Sequence, residues 1–154
     1  MKLWLLRHGQ AEWLARTDAE RPLTAHGREE VRSMAARLAA RPLRTILASP
    51  YVRARQTAEL VREAFGGCPE LVIVDWLMPE RDLQQALDQL AARDEEELLL
   101  VGHQPLIGAL TGMLVHGHRQ SPVPMVTAAL AELDGEFPLA GAMSLTALHQ
   151  PCAD

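Results

Sequence analysis

The sequence Leu3-Trp4-Leu5-Leu6 stands near the start of the chain and is followed directly by Arg7-His8-Gly9. Four apolar residues in a row are typical of a strand that is covered on both faces, as strands of a parallel sheet are. Ligands of such sheets bind beyond the carboxyl ends of the strands, where an arginine and a histidine stand here. This stretch therefore predicts a buried parallel strand with a site at its end.

The rest of the chain alternates between apolar runs and amphipathic segments, with no linker that would divide residues 1–154 into two domains. Ser49 and Pro50 have the residue types of an N-cap and a first helical position. The other helices are expected to follow Thr24, to include Leu83 and to run from Pro105 to His116. The alternation predicts an α/β fold, a three-layer αβα arrangement around a mainly parallel central sheet. The further predicted strands are 45–48, 71–74, 97–101, 126–133 and 143–149.

The composition is that of a globular protein, with 48% apolar and 23% charged residues in 154. A net charge of -5 argues against binding to nucleic acid or to an anionic membrane, since both need a basic surface. Cys68 and Cys152 stand far apart, which favours neither a disulfide framework nor a zinc site. Neither a signal peptide nor a membrane span is expected, which predicts a cytoplasmic protein.

Three predicted strand ends carry basic or imidazole side chains, and parallel strands would bring these ends to one side of the sheet. Arg53 falls in the first turn of the second helix, where free backbone N–H groups and the helix dipole favour an anion. Arg55 lies about 200° further round that helix and points elsewhere. Two histidines without a third ligand make a poor zinc site. We therefore expect an anion site built from Arg7, His8, Arg53 and His103.

Four motifs stand in a fixed order along the chain: Arg7-His8-Gly9-Gln10-Ala11, Arg21-Pro22-Leu23-Thr24, Ser49-Pro50-x-x-Arg53 and Gly102-His103-x-Pro105. In this order they resemble the histidine phosphatase superfamily, which has the phosphoglycerate-mutase-like fold. The short chain and the second motif are most similar to its bacterial phosphohistidine phosphatases of the SixA type.

The resemblance implies that His8 is the nucleophile and takes the phosphoryl group to form a phosphohistidine intermediate, which water then hydrolyses. Arg7, Arg53 and His103 would hold the transferring group, while Gly9, Arg21 and Ser49 would contribute to substrate binding. Gly9 lacks a Cβ, which would let a bulky anion approach the backbone. Neither a metal nor another cofactor is implied, because arginine and histidine supply the positive charge.

A general acid is harder to place, because three carboxylates follow the third predicted strand. Asp82-x-x-Gln85 has the pattern of a capping box, and Asp75 can simply end the strand. Glu80 has no such explanation and is the candidate acid. Phosphohistidine needs less help than an ester, because imidazole departs as a neutral ring once its other nitrogen is protonated.

Three functions remain open at this point. The first is a phosphatase for phosphohistidine on a partner protein such as a phosphotransfer domain. The second is a phosphomonoesterase for a small sugar, nucleotide or acid phosphate, and the third is a phosphate-binding module without catalysis. The second histidine argues against the third function. The chain lacks the Asn and Phe-x-Gly element of the mutase branch and any insertion long enough for a lid, which favours a protein substrate. The enzyme is expected to be a monomer. Trp13 would form a rim with Arg21 or pack against the first helix.

Overall fold

In the computed structural model, which describes residues 1–151, strands and helices alternate as the sequence predicts. Cys152 therefore lies outside the described residues. None of the described helices is long and apolar enough to cross a membrane. The strands are β1 (Lys2–Arg7), β2 (Thr45–Ala48), β3 (Glu70–Ile73), β4 (Glu97–Gly102), β5 (Leu130–Asp134) and β6 (Ser144–His149), and the helices are α1 (Ala25–Leu38), α2 (Val52–Ala64), α3 (Leu83–Ala91) and α4 (Leu106–His116).

The strands form one sheet in the order β3-β2-β4-β1-β5-β6. β4 is parallel to both of its neighbours, and its register pairs Gly102 with Arg7 at the end of β1. β5 is antiparallel to β1, and β6 is antiparallel to β5. The predicted α/β class with a mainly parallel sheet is thus confirmed, and the ends of β1, β2 and β4 meet at one edge.

Side chains of successive strand residues enter two separate cores, as the two-residue period of a strand requires. Leu3 and Leu5 of β1 pack in the core that contains α3 and α4. Trp4 and Leu6 pack in the core that contains α1 and α2. These two cores confirm the three-layer arrangement and explain why every position from Leu3 to Leu6 is apolar.

The predicted start of α2 is wrong, and the capping box predicted for α3 does not form. α2 begins at Val52 with Tyr51 as its N-cap, so neither Ser49 nor Pro50 has the predicted capping position. The Ser49 hydroxyl instead accepts a hydrogen bond from the Tyr51 amide at 3.3 Å and contacts His103. Asp82 is the N-cap of α3 but its side chain makes no capping hydrogen bond, so the capping box does not form.

The predicted strand ends also shift. The strand expected from Val126 begins only at Leu130, because a turn closed by the Ala129 amide on the Val126 carbonyl comes first. Ala128 in this turn has a φ of 60°, which no strand residue adopts. β3 begins and ends one residue earlier than expected, β4 extends to Gly102, and α4 and β6 each begin one residue later.

The loop after β1 packs closely on the start of α1. The side chain of Thr24 caps α1 by accepting a hydrogen bond from the Gly27 amide at 2.9 Å. The Thr24 amide in turn donates to the Gln10 carbonyl at 3.0 Å. A Cβ on Gly27 would clash with the Gln10 backbone. The loop that follows His8 is therefore fixed by backbone-to-backbone contact with the helix.

We expect Gly27→Ala to lower the free energy of unfolding by about 2 kcal/mol, since the clash outweighs the higher helix propensity of alanine. Urea denaturation of the purified protein measures this change. Gly102→Ala is the matched control, because its Cβ would meet its nearest neighbour, Ile107, at an ordinary 3.5 Å. A Gly27→Ala protein as stable as the wild type would contradict the interlock of loop and helix.

Candidate active site

Two imidazole rings face each other at the edge where β1 and β4 end. The ring centroids of His8 and His103 are 5.1 Å apart, and both residues are buried. Tyr51, from the turn after β2, packs with its ring 5.1 Å from that of His103. The guanidinium of Arg53 in α2 lies 5.0 Å from the Tyr51 ring. The predicted cluster therefore forms, and each member stands where a strand ends or a helix begins.

The hydrogen bond of His8 decides which of its nitrogens can react. Its Nδ1 lies 2.7 Å from the Gly9 carbonyl oxygen, which can only accept, so Nδ1 carries the proton and donates. In the neutral ring Nε2 then has a free lone pair. Burial, the nearby Arg53 and Arg7 lower the pKa of His8 to about 4 despite the opposing effect of the carbonyl. His8 is thus uncharged at neutral pH, with an unprotonated Nε2.

His103 is held by a serine rather than by a carbonyl. Its Nε2 lies 2.8 Å from the Ser49 hydroxyl, which can donate or accept. Its Nδ1 is buried and has no partner among residues 1–151. Burial lowers the pKa of His103 well below its usual value, and His8 and Arg53 act in the same direction. This nitrogen is therefore a buried polar group whose hydrogen-bonding capacity is unused within the described residues.

Two arginines supply the positive charge of the cluster. Arg7 donates from Nη1 to the Met125 carbonyl at 3.0 Å, while its buried Nε has no partner within the described part of the chain. The side chain of Arg53 is only 7% exposed. Thr57, one turn further along α2, accepts a hydrogen bond from the Gly9 amide at 3.1 Å. Helix α2 thus both supplies a guanidinium and fixes the loop beside His8.

Asp18 is a charged residue at this cluster that the sequence does not single out. Its carbonyl oxygen and Oδ2 accept hydrogen bonds from Arg53 at 2.6 and 3.1 Å, and its Oδ1 accepts one from Arg21 at 2.9 Å. Asp18 belongs to a single 3₁₀ turn, Asp18–Glu20, that buries no side chain. The sequence feature that could have indicated its ion pair is the spacing of three residues between Asp18 and Arg21.

Comparison with known proteins places this arrangement in a family. Residues 3–83 match the histidine phosphatase superfamily (branch 1). The chain belongs to the histidine phosphatase superfamily. The phosphohistidine phosphatase SixA homologue of Haemophilus influenzae is 31% identical over 145 residues, which cover 86% of this chain and 87% of the relative. Phosphohistidine phosphatase SixA of Escherichia coli is 32% identical over 138 residues, 86% of this chain and 84% of the relative.

A solved structure of the protein histidine phosphatase SixA complexed with tungstate is also similar to this chain. It aligns with a TM-score of 0.88 at 30% identity, and the alignment covers 99% of this chain and 98% of the other. The resemblance seen in the four sequence motifs, to the histidine phosphatase superfamily and its SixA type, is thereby confirmed. The fold of this chain is thus close to that of a protein histidine phosphatase in complex with tungstate.

The structure changes the reason for a glycine at position 9 of this histidine phosphatase. A Cβ on Gly9 would lie 2.6 Å from the Gly27 carbonyl oxygen and 2.8 Å from a methyl group of Val31. The space is thus filled by α1, and the expectation that it admits an anion is wrong. Glycine is required here because the helix approaches the loop closely.

Arg21 and Trp13 lie together at the mouth of the histidine phosphatase site. The Arg21 guanidinium is 5.1 Å from the Trp13 ring, and its Nε donates to the Glu12 carbonyl at 2.7 Å. Trp13 is 85% exposed, so the alternative that it packs against α1 is wrong. Trp13 therefore lies at the rim beside Arg21. The role of Arg21 in substrate binding stays a prediction.

Glu80 is exposed and lies on a shallow groove of about 410 Å³ that Pro105 and Arg119 also line. No hydrogen bond or ring contact found among residues 1–151 joins Glu80 to His8 or His103. Asp75 lies in a 3₁₀ turn directly after β3 and is exposed as well. The role of Glu80 as an acid therefore stays a prediction without a contact to support it.

We expect the His8 ring of this histidine phosphatase to stay neutral, with the proton on Nδ1, as the pH falls from 7 towards about 4. Imidazole nitrogen shifts in an NMR titration report both the tautomer and the pKa. Arg53→Ala should raise the pKa of His8, because a neighbouring positive charge that opposes the imidazolium is removed. Protonation of His8 near pH 6.5 in the wild type would contradict this electrostatic description.

We expect Ser49→Ala to reduce turnover by about threefold to tenfold, the effect of one hydrogen bond that orients a ring. The KM should change less than kcat if the hydroxyl only fixes the orientation of His103. Ser33→Ala, an exposed position on α1, is the matched control. Unchanged kinetics in Ser49→Ala would show that His103 needs no partner at Nε2.

Proposed function

We propose that this protein is a phosphohistidine phosphatase that acts as a cytoplasmic monomer, with His8 as its nucleophile and a phosphotransfer domain as its substrate. The observation that carries the proposal is the buried, uncharged His8, whose Nε2 is left free by the hydrogen bond from Nδ1 to Gly9. The relatives named as phosphohistidine phosphatases support the choice of substrate.

In the first step Nε2 of His8 attacks the phosphorus atom of the substrate. A P–N bond to His8 forms while the P–N bond to the substrate imidazole breaks, and its electron pair stays on the departing nitrogen. The substrate ring leaves as neutral imidazole when its other nitrogen carries a proton. Arg7 and Arg53 stabilise the charge on the equatorial oxygens of the transferring group. The unpaired Nδ1 of His103 contributes a further polar contact.

In the second step water attacks the phosphohistidine on His8. A P–O bond forms, the P–N bond breaks, and its electron pair returns to Nε2, while a proton of the water passes to solvent or to the phosphate released. The Gly9 carbonyl keeps the proton of His8 on Nδ1 throughout, so Nε2 is regenerated in its reactive form. The site thereby returns to its starting state after each turnover.

Metal independence is part of the proposal and rests on the guanidinium groups. Arg7 and Arg53 provide two permanent positive charges within the buried cluster, which is the contribution that a divalent cation makes in other phosphoryl transfer sites. We expect turnover to survive dialysis against a chelator. Turnover that disappears with the chelator and returns with Mg²⁺ or Zn²⁺ would contradict this part of the proposal.

Phosphate release from two substrates by wild type and His8→Ala tests the proposed function. One substrate is a phosphotransfer domain phosphorylated on histidine, and the other is an aryl phosphate. We expect rapid release from the protein and little from the ester, with a loss of at least about 10³-fold in His8→Ala. His118→Ala, which removes an exposed histidine, is the control.

Each other result of that comparison selects a different function. Faster release from the ester would favour a small-molecule phosphomonoesterase, and loss of that activity in Glu80→Gln would then make Glu80 its acid. Release from neither substrate would favour a phosphate-binding module. Residual activity of His8→Ala equal to the wild type would exclude His8 as nucleophile.

A further inference from the structure

The carboxylate of Asp18 stands at the open side of the buried cluster. The side chain of Arg53 is 7% exposed, whereas that of Asp18 is 57% exposed, so the hydrogen bond between them leads from the pocket to its mouth. A guanidinium has five N–H donors, and Asp18 accepts from two of its nitrogens. Three donors of Arg53 remain for a phosphoryl group. Asp18 can therefore keep its position while the substrate binds.

The direction of the reaction puts the leaving group on the side of Asp18. In phosphoryl transfer the attacking and leaving atoms lie on opposite sides of phosphorus. His8 is buried, so the departing group points towards solvent. A cleft of about 310 Å³ lies beside Asp18, which lines it together with Trp13 and Arg21 and is hydrogen-bonded to Arg53 of the cluster. This cleft has room for an imidazole ring beside the carboxylate.

Two arginines keep the Asp18 carboxylate charged. Its hydrogen bond with Arg21 is the largest cause of a lowered pKa, and the hydrogen bond with Arg53 acts in the same direction against partial burial. A carboxylate has about four acceptor positions, and the two guanidinium groups use one on each oxygen. Acceptor positions therefore remain for a donor on the substrate.

A fixed negative charge at this place treats the two substrate classes in opposite ways. Phosphohistidine leaves best when its second ring nitrogen is protonated, so the leaving group carries an N–H donor and a positive charge before the bond breaks. An ester leaves as an alkoxide or phenolate, whose developing negative charge a carboxylate repels. An ionised carboxylate also has no proton to give to that oxygen.

We propose that Asp18 is the specificity-determining residue for phosphohistidine, because its carboxylate accepts a hydrogen bond from the protonated imidazole that leaves. The inference rests on the proposed function and adds the group that distinguishes a P–N from a P–O substrate. Asp18 contacts the leaving ring, while Arg53, to which it is hydrogen-bonded, contacts the phosphoryl group.

The test is the ratio of kcat/KM for free phosphohistidine to kcat/KM for phenyl phosphate. We expect Asp18→Asn to lower this ratio at least about tenfold, by slowing phosphohistidine and leaving or raising the rate on the ester. Asp18→Glu should restore part of the ratio. Glu29→Gln, which removes another exposed carboxylate paired with an arginine, is the matched control and should leave the ratio unchanged.

A role confined to holding Arg53 would lower both rates by the same factor, and an unchanged ratio in Asp18→Asn would overturn the proposal. The proposal would also be overturned if Asp18→Asn lost both activities and bound vanadate more weakly, with a higher inhibition constant. That result would show that the pocket itself depends on Asp18. The proposed function fails separately, when the wild-type enzyme does not hydrolyse phosphohistidine. A thermal melt of each variant confirms that the chain is folded.

Discussion

Two arginines and two histidines can share one buried pocket only because the histidines are uncharged. Each imidazolium would add a third positive charge beside Arg7 and Arg53 at a place where both rings have lost most of their contact with water. The folded chain avoids that cost by lowering the pKa of both rings. The same electrostatics leave a lone pair on His8, so the condition for burying the cluster is also the condition for nucleophilic attack.

The parallel pairing of β1 and β4 turns this chemical requirement into geometry. Arg7 pairs with Gly102 in register, so the next residue of each strand, His8 and His103, leaves the sheet at the same level. β2 lies on the other side of β4 and ends at Ala48, and the hydroxyl of the next residue, Ser49, reaches His103. The antiparallel strands β5 and β6 extend the sheet, and Met125, just before β5, holds the Arg7 side chain.

The sequence predicted the parts of this site that are fixed by strand ends. Arg7, His8 and His103 follow uninterrupted apolar runs, and the end of a buried parallel strand has few possible positions. Ser49 was predicted as a helix cap, because its residue type suits a cap, whereas a distant histidine takes its hydroxyl in the folded chain. Asp18 escaped detection because its turn has neither an apolar period nor a buried side chain.

The late start of β5 has its cause in a contact between distant parts of the chain. The strand expected from Val126 is apolar enough to be extended, but its first residues turn, and the Ala128 amide donates to the carbonyl of His8 at 3.0 Å. This hydrogen bond joins positions 120 residues apart in the chain, so the local strand propensity of the sequence cannot predict it. The element types were therefore predictable, while the late start of β5 beside His8 was not.

The contact between α1 and the loop after His8 bears on how this chain can change in evolution. Gly9, Gln10, Thr24 and Gly27 meet mainly through backbone atoms, so their fit depends on the absence of side chains at the two glycines rather than on particular groups elsewhere in the loop. Residues 12–16 project outward from this fixed frame and are exposed. Related proteins can thus vary that surface while the His8 ring keeps its position.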